Sequence, residues 1–512
     1  MSNTLEKKKR GSVVIVGGGI GGMQASLDLA DSGLKVHMIQ KESSIGGIMA
    51  TLDKTFPTGD CSMCMISPKM VEVGRHQNID IHILSEIVNV EGEAGDFTVT
   101  VKKQPSFVDP DKCTGCGVCD EKCPRLVPSE FEQGLAKRKS IHSLFPQAVP
   151  DSHVIDPNSC LFLTRERCRA CEKFCQAGAI NFEDTQKTFE IKTGAVILSP
   201  GLKKYDPSIR PELGFGRWPN VVTSLQFERI LSASGPYMGE VKRPSDNKHP
   251  SKVAWIQCVG SRDSNNANPW CSSVCCMYAT KQAVIAKEHD GSINPTIFYM
   301  EMRAYGKDFD KYVDRAKNEY SVEYRRAMIS SIHEEAGTNN LILRYTSENG
   351  SMVDEVFDMA VLSVGLEPHL DAEDFARKAG IEKNKYNFAK TDHFNPVDTS
   401  RPGVYVTGIY QGPKDIPETV TQGSAVAGKA MALLGESRGT EITVKELPEE
   451  KDISEDEPRI GVIVCHCGIN ISQTVDVEKT AAEARSCENV VHAEDLLYAC
   501  APDGQEKNQK ID

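Results

Sequence analysis

Eighteen cysteines stand in a chain of 512 residues, and eight of them fall between Asp109 and Asn181. Cys113, Cys116, Cys119 and Cys123 run directly into Pro124, giving C-x₂-C-x₂-C-x₃-C-P. Cys160, Cys168, Cys171 and Cys175 repeat the run with its first gap stretched, C-x₇-C-x₂-C-x₃-C. Two residues between thiolates let a short loop wrap one corner of an iron–sulfur cube, and the distant fourth thiolate closes the neighbouring cube. The spacing therefore assigns Cys113, Cys116, Cys119 and Cys175 to one [4Fe–4S] cluster. Cys160, Cys168, Cys171 and Cys123 go to a second. Paired zinc knuckles are the weaker reading, because zinc seldom uses this run.

Three further cysteine groups invite the same question. Cys258, Cys271, Cys275 and Cys276 follow a buried strand, with a helix expected from near Trp270 through Met277 to Lys287. That helix would place Cys271 and Cys275 on one face. The set reads as a third [4Fe–4S] site or as reduced cysteines packed as small hydrophobes. Cys465, Cys467 and Cys500 supply three ligands of a fourth cluster whose remaining ligand lies elsewhere. Cys61 and Cys64 form a redox pair, a ligand pair or simple packing.

The elements that must position these groups begin with an apolar strand, Ser12 to Val16, then Gly17, Gly19 and Gly22 as G-x-G-x-x-G, then a helix to Ser32. This is the dinucleotide fingerprint, with glycines that let the backbone approach a pyrophosphate. Gln40 ends the next strand where an acidic residue usually holds the ribose, and Lys41 follows it. Gly46 and Gly47 make a second glycine turn of the kind found near flavin phosphates. Ile79 to Val101 alternates like a β-meander. The strand ending at Gly201 and the segment Gly408 to Ile416 resemble the later flavin-contacting segments of two-dinucleotide-domain flavoproteins. There Lys414 places a cation near the reactive edge of the flavin, as the candidate catalytic residue, or is a solvated loop lysine. Asp415 and Ile416 open the helix that follows. FAD is the expected cofactor. After the strand Lys252 to Ile256 the glycine fingerprint is replaced by Gln257-Cys258-Val259-Gly260-Ser261-Arg262, so no nicotinamide nucleotide is expected there.

The predicted fold is α/β: a thioredoxin-reductase-like two-dinucleotide-domain flavoprotein with an inserted bacterial-type two-cluster ferredoxin domain. Its parts are residues 1–108, 183–250 and 391–436 for the FAD-binding domain and 109–182 for the insert. Residues 251–390 form the second nucleotide-type fold, 437–459 an acidic linker, and 460–512 a partial α/β domain that looks cut short. A formal charge of −13 argues against nucleic acid. No stretch reaches 18 apolar residues, so no membrane span is expected. Reduced, clustered cysteines and the lack of a leader point to a cytoplasmic protein.

Several long motifs together resemble one family. VVIVGGGIGG, GDCSMCMISPKMVEVGRHQNI, the inserted two-cluster segment, QCVGSRD with WCSSVCCMYATKQA, and GIYQGPKDIPETVTQGSA are similar to the A-type subunit of heterodisulfide reductase and its bacterial homologues. The resemblance covers nearly the whole chain. It implies FAD in a thioredoxin-reductase-like domain and a cluster on the Cys258 set. It further implies flavin-based electron bifurcation between a mid-potential donor, a high-potential acceptor and ferredoxin. The partners implied are ferredoxin and components of heterodisulfide reductase, hydrogenase, formate dehydrogenase or acyl-CoA reductase kind, in a dimer of complexes. The alternative is a non-bifurcating conduit like the flavoprotein components of the quinone-interacting complex. In archaeal members the segment like Cys465-His466-Cys467-Gly468 precedes the flavin domain; here it follows.

Overall fold

A computed structural model describes residues 9–265, 268–369, 371–444, 450, 452, 454–467, 471–500, 504, 505 and 507. Gly468 and parts of the acidic linker therefore lie outside the described residues. Every residue of Ser12–Val16 (β1) is buried, as a parallel strand covered on both faces requires. β1 is the centre of a five-stranded parallel sheet. Its other strands are Lys35–Ile39 (β2), Ile79–His82 (β3), Ala195–Leu198 (β4) and Val404–Val406 (β5), in the order β5-β4-β1-β2-β3. Ile79–His82 thus extends this sheet. Within that span only Ser85–Glu93 and Asp96–Lys103 behave as the expected meander, pairing antiparallel, and Asp96–Lys103 pairs on its other edge with Lys187–Thr193.

The helix after β1, Ile20–Asp31 (α1), packs against the long helix near the end of this unit, and the approach is close. A Cβ added at Gly423 would sit 2.8 Å from the Gly21 carbonyl oxygen. Between them in the chain come Ser62–Arg75 (α2), Ser224–Leu231 (α3) and Cys275–His289 (α4); the long helix itself is Ile416–Leu434 (α5). Asp415 and Glu418 form a capping box at the start of α5, each side chain bonding the other's backbone N–H.

The second unit has its own parallel sheet, ordered Val221–Thr223, Met359–Val364, Lys252–Val259, Asn294–Tyr299, Glu323–Arg326. Trp255, Phe227 and Met277 fill its core between sheet and helices. Val221–Thr223 lies ahead of the boundary expected at 251, because a three-residue strand carries too little periodicity to be read. The helix α4 starts at Cys275, five residues later than expected. Trp270 is held instead by Tyr386 and Phe388 (ring centroids 5.1 and 5.4 Å apart). Ser273 has φ +67° and breaks the helical path.

The insert leaves and re-enters the host between paired strands. Lys103 faces Lys187 across the sheet, and Val108 bridges Ile180. Asp109 N donates to Ala179 O at 2.7 Å, closing the neck. Downstream of the linker, Ile460–Cys465 pairs in parallel with Val490–Leu496 beneath the helix Val477–Ala484. Among the described residues no helix is long and apolar enough to cross a membrane.

Candidate functional site

A cavity of ≈ 780 Å³ opens at the carboxyl ends of β1, β2, β4 and β5. Ligands of parallel α/β sheets bind at such an end. Gly17, Gly19, Gln40, Lys41, Gly46, Gly47, Gly201, Gly408, Lys414, Asp415 and Ile416 all line it. Gly22 does not; it serves the turn from behind, since a Cβ there would meet the Gly17 carbonyl oxygen at 2.0 Å. Gly19, by contrast, has nothing within 4 Å of its missing Cβ. It caps α1 with no side-chain acceptor, so the helix N-terminus presents free N–H groups to the cavity. Gly47 has φ +58°, and a Cβ on it would press on the Gly19 Cα at 3.0 Å. This open, uncapped cradle fits an extended dinucleotide such as FAD.

Gln40 is buried and its Oε1 accepts from Gly18 N at 2.7 Å, so it braces the glycine turn. Lys41 pairs with Asp371 at 3.4 Å across the rim. Lys414 is not a solvated lysine. It is 7% exposed, and Nζ donates to Gly408 O, Gln411 Oε1 and Gly412 O, each at 2.8 Å. Its three donors are all taken up by the loop. Burial pulls its pKa down to about 8.

Sequence reasoning missed a buried charge cluster on the cavity wall. Glu228 of α3 bonds Lys281 and Gln282 of α4, and Glu228 Oε2 accepts from Asp53 N at 3.0 Å. Glu228, Lys281 and Gln282 all line the cavity. Asp53 is 4% exposed, and its Oδ2 has no hydrogen-bond partner. Burial first and the neighbouring Glu228 second push its pKa up to about 7. Beside this cluster Arg229 clamps Glu132 of the insert at 2.9 and 3.0 Å. The only hint in the sequence was three charged residues, Glu228, Arg229 and Lys281, inside helical stretches.

In the insert, Cys123, Cys160, Cys168 and Cys171 line one small void, the group assigned from spacing to the second cluster. Cys119 feels Cys113 and Cys116 electrostatically. Cys175 Sγ accepts from Ala179 N at 3.3 Å.

The four thiols of the second unit also converge, though not through a shared helical face. Cys271 lies in the loop ahead of α4, and Cys258 sits on a bulge with φ +62°. Burial raises the pKa values of Cys258, Cys275 and Cys276, and each of these thiols also feels others of the set. Cys276 accepts from Arg303 N and Cys271 from Ser273 N, both at 3.4 Å. Next to them Arg262 Nη1 and both amide atoms of Gln257 are buried without partners. A thiolate-held, net-negative cluster would give the two orphaned donors, Arg262 Nη1 and Gln257 Nε2, something to bond, so the donor set fits a [4Fe–4S] group. Where a nucleotide turn would lie, a Cβ at Gly260 would meet the Tyr205 ring at 2.1 Å.

Cys465, Cys467 and Cys500 gather at the end of the C-terminal strand pair, and they meet Cys61 and Cys64 of the flavin-side unit. Cys64 Sγ lies 3.9 Å from Cys467 Sγ. Cys61 caps α2, its sulfur accepting from Cys64 N at 3.4 Å.

These features define a flavoprotein with two nucleotide-type units and a ferredoxin-type insert. Residues 12–53 match the FAD binding domain family and residues 107–128 the 4Fe-4S binding domain family. Over 441 residues the chain is 45% identical to the second A-type iron-sulfur subunit of the CoB–CoM heterodisulfide reductase of Methanopyrus kandleri, covering 85% of this chain and 66% of that one. Over 422 residues it is 42% identical to the A-type subunit of the H(2):CoB-CoM heterodisulfide,ferredoxin reductase of Methanothermobacter marburgensis, covering 81% and 63%. The crystal structure of T. acidophilum thioredoxin reductase is similar with a TM-score of 0.46 at 15% identity, covering 83% of this chain and 98% of that one. The chain belongs to the family of heterodisulfide reductase A-type subunits. It spans 63 to 66% of the length of the first relatives it matches.

Proposed function

We propose that the chain is the FAD- and [4Fe–4S]-carrying electron-transfer subunit of a larger oxidoreductase complex. In that role it performs flavin-based electron bifurcation between a mid-potential donor, a high-potential acceptor and ferredoxin. The observation that carries this reading is that residues next to two thiol groups line two walls of the flavin cavity, so the thiols stand behind those walls. Val274 and Tyr278 line one wall and flank Cys275 and Cys276 at the start of α4. Met65 lines another and follows Cys64 directly on α2. The relative from Methanothermobacter marburgensis is named for both a heterodisulfide and ferredoxin, which supports two acceptors of unlike potential.

When bound, FAD supplies a centre that takes up an electron pair and releases its electrons singly. The chain's own residues set the conditions. Lys414 locks the Gly408–Gly412 loop and puts one buried positive charge at the cavity wall. The Tyr278 hydroxyl donates to Val364 O at 2.9 Å and closes the wall between cavity and thiols. The Cys258 set, the insert and the C-terminal set are read as the outgoing wires. Among the described residues the cavity shows no nucleophile–base pair for a small organic substrate. Chemistry at the final substrate is therefore assigned to partner proteins of heterodisulfide reductase, hydrogenase, formate dehydrogenase or acyl-CoA reductase kind.

Anaerobically purified chain should carry one FAD and about twelve irons for three cubanes, or about sixteen for four. About eight irons would confine the clusters to the insert and make the Cys258 set structural. Within the complete complex, ferredoxin should be reduced only while the high-potential acceptor is also turning over. Ferredoxin reduction without that acceptor would overturn bifurcation and leave a simple conduit.

A further inference from the structure

Five thiols meet where α2 of the flavin-side unit touches the C-terminal strand pair, more than one cubane can ligate. Three come from one side: Cys465 at the end of Ile460–Cys465, Cys467 two residues on, and Cys500. Two come from the other, Cys61 and Cys64, some four hundred residues away in sequence. The two sides are pinned together around them. Arg75, the last residue of α2, donates to Gln505 Oε1 at 3.1 Å. Gln147 of the insert reaches Cys500 Sγ with its amide at 3.9 Å. Asn78 and Thr443 exchange hydrogen bonds of 3.2 and 2.7 Å just beyond.

The sulfurs are not equivalent. Cys61 Sγ accepts from Cys64 N at 3.4 Å inside its own turn of α2 and also approaches Cys467, so it is the rival ligand that the variants must separate from Cys64. Cys465 Sγ accepts from Ala499 N at 3.4 Å, an N–H···S bond of the sort that tunes a cluster ligand. Cys467 has φ +53°, a left-handed conformation that costs a cysteine energy and aims its side chain at α2. Cys64 Sγ sits opposite it at 3.9 Å, and Cys500 is within electrostatic reach of Cys64. Cys64 also adjoins Met65, which lines the flavin cavity.

We propose that Cys64 is the fourth ligand of the Cys465–Cys467–Cys500 site, so that one [4Fe–4S] cluster is held jointly by the flavin-side unit and the C-terminal unit. This rests on the reading that the C-terminal set binds a cluster. Ligation is a thiol exchange: each S–H bond and each Fe–S bond to a carrier thiolate on a preformed [4Fe–4S] cluster breaks, a new S–Fe bond forms, and the proton leaves on the displaced carrier thiol. No oxidant is needed. The cluster would staple two units that otherwise meet through few hydrogen bonds, and would do so against the cavity wall. A tetrahedral zinc ion also takes four thiolates, with sulfurs nearly 4 Å apart, but would carry no electrons beside the flavin.

The test compares full-length, anaerobically purified wild type with Cys64→Ser, Cys61→Ser and Cys465→Ser. Iron, sulfide, zinc and FAD are measured per chain, and spectra of the reduced protein are recorded by electron paramagnetic resonance. Cys64→Ser and Cys465→Ser should each lose about four irons with FAD retained, and Cys61→Ser should lose none. Loss in Cys465→Ser but not in Cys64→Ser sinks the proposal while leaving the C-terminal cluster standing. Loss in neither removes the cluster reading as well. Loss in Cys61→Ser alone, or stoichiometric zinc in the wild type, also overturns it. Should Cys64→Ser shed FAD through misfolding, Cys64→Asp decides: a carboxylate ligand should shift the signal of one cluster, and an unchanged spectrum refutes ligation.

Discussion

Replacing Asp53 by Asn should make the protein more stable at pH 8 and leave it unchanged near pH 4. Asp53 is 4% exposed, its Oδ2 is unpartnered, and the Glu228 carboxylate bonds its backbone N–H at 3.0 Å. These surroundings raise its pKa from 3.8 to about 7. A carboxyl whose folded pKa is raised binds protons more tightly in the native state than in the unfolded one. Stability from this group is therefore full below pH 3.8, falls as pH rises through the window to about 7, and is flat above it. At 1.36 kcal/mol per pH unit the window corresponds to on the order of 4 kcal/mol, an upper bound for so buried a group. Asn carries no charge at any pH, so the variant should lack this decline. The assay is denaturant-induced flavin release under anaerobic conditions at pH 4 and pH 8, wild type beside Asp53→Asn. Groups not coupled to Asp53 titrate equally in both proteins, so the difference isolates Asp53 and its coupling to Glu228 and Lys281. A variant with the wild-type pH dependence, or one less stable than wild type at pH 8, would refute the assigned burial and charge repulsion.

Three further substitutions probe the same architecture. Lys414→Met takes a donor from Gly408 O, Gly412 O and Gln411 Oε1; Gly408 O keeps Gln411 N and Gln411 Oε1 keeps Gln422 Nε2, so Gly412 O is the acceptor left orphaned. At about 1–3 kcal/mol per buried orphan, FAD should be released roughly tenfold more readily, read by free-flavin fluorescence; unchanged retention would contradict a loop-locking role. Arg229→Met strands Glu132 of the insert by breaking a clamp whose arginine is 1% exposed. Loss of one partner of such a pair costs about 3–5 kcal/mol, so proteolysis around residues 109–182 should accelerate while the irons of the insert remain; wild-type resistance would mean the insert is held by other contacts. Cys258→Ser should remove about four irons and no FAD, whereas full iron content would make that thiol set structural.

Most of what repeats locally was legible in the sequence. The glycine turn after β1 and the cysteine runs of the insert owe their form to contacts within about twenty residues. The expected insert, 109–182, coincides with a neck closed at Asp109 and Ala179. The start of α4 was misread because Trp270 is recruited by Tyr386 and Phe388, more than a hundred residues away. Gln40 stands where an acidic residue usually holds the ribose and lines the cavity, and its side-chain amide oxygen also braces Gly18; a turn needs such an acceptor, and no periodicity reveals it. The meeting of Cys64 with Cys467 was invisible for the same reason: nothing local in either segment names the other.

The buried charges explain how thiols of two units are held in register behind the cavity walls. Burying Lys281 against Glu228, or Arg229 against Glu132, gains little net stability, because desolvation offsets most of the attraction. Loss of a single partner is nevertheless expensive, so each pair tolerates only one arrangement of its neighbours. Arg229 bonds both Thr51 O in the flavin-side unit and Glu132 in the insert. Lys281 bonds both Lys54 O and Glu228. Sliding the second unit by the width of one side chain would orphan several of these groups at once. The charges thereby fix Tyr278 and the start of α4 against the cavity, and with them Cys275 and Cys276. An apolar interface of the same area would hold the units together without fixing their register. This predicts that Lys281→Met shifts the spectra of the Cys258-set cluster even though Lys281 touches none of its thiols.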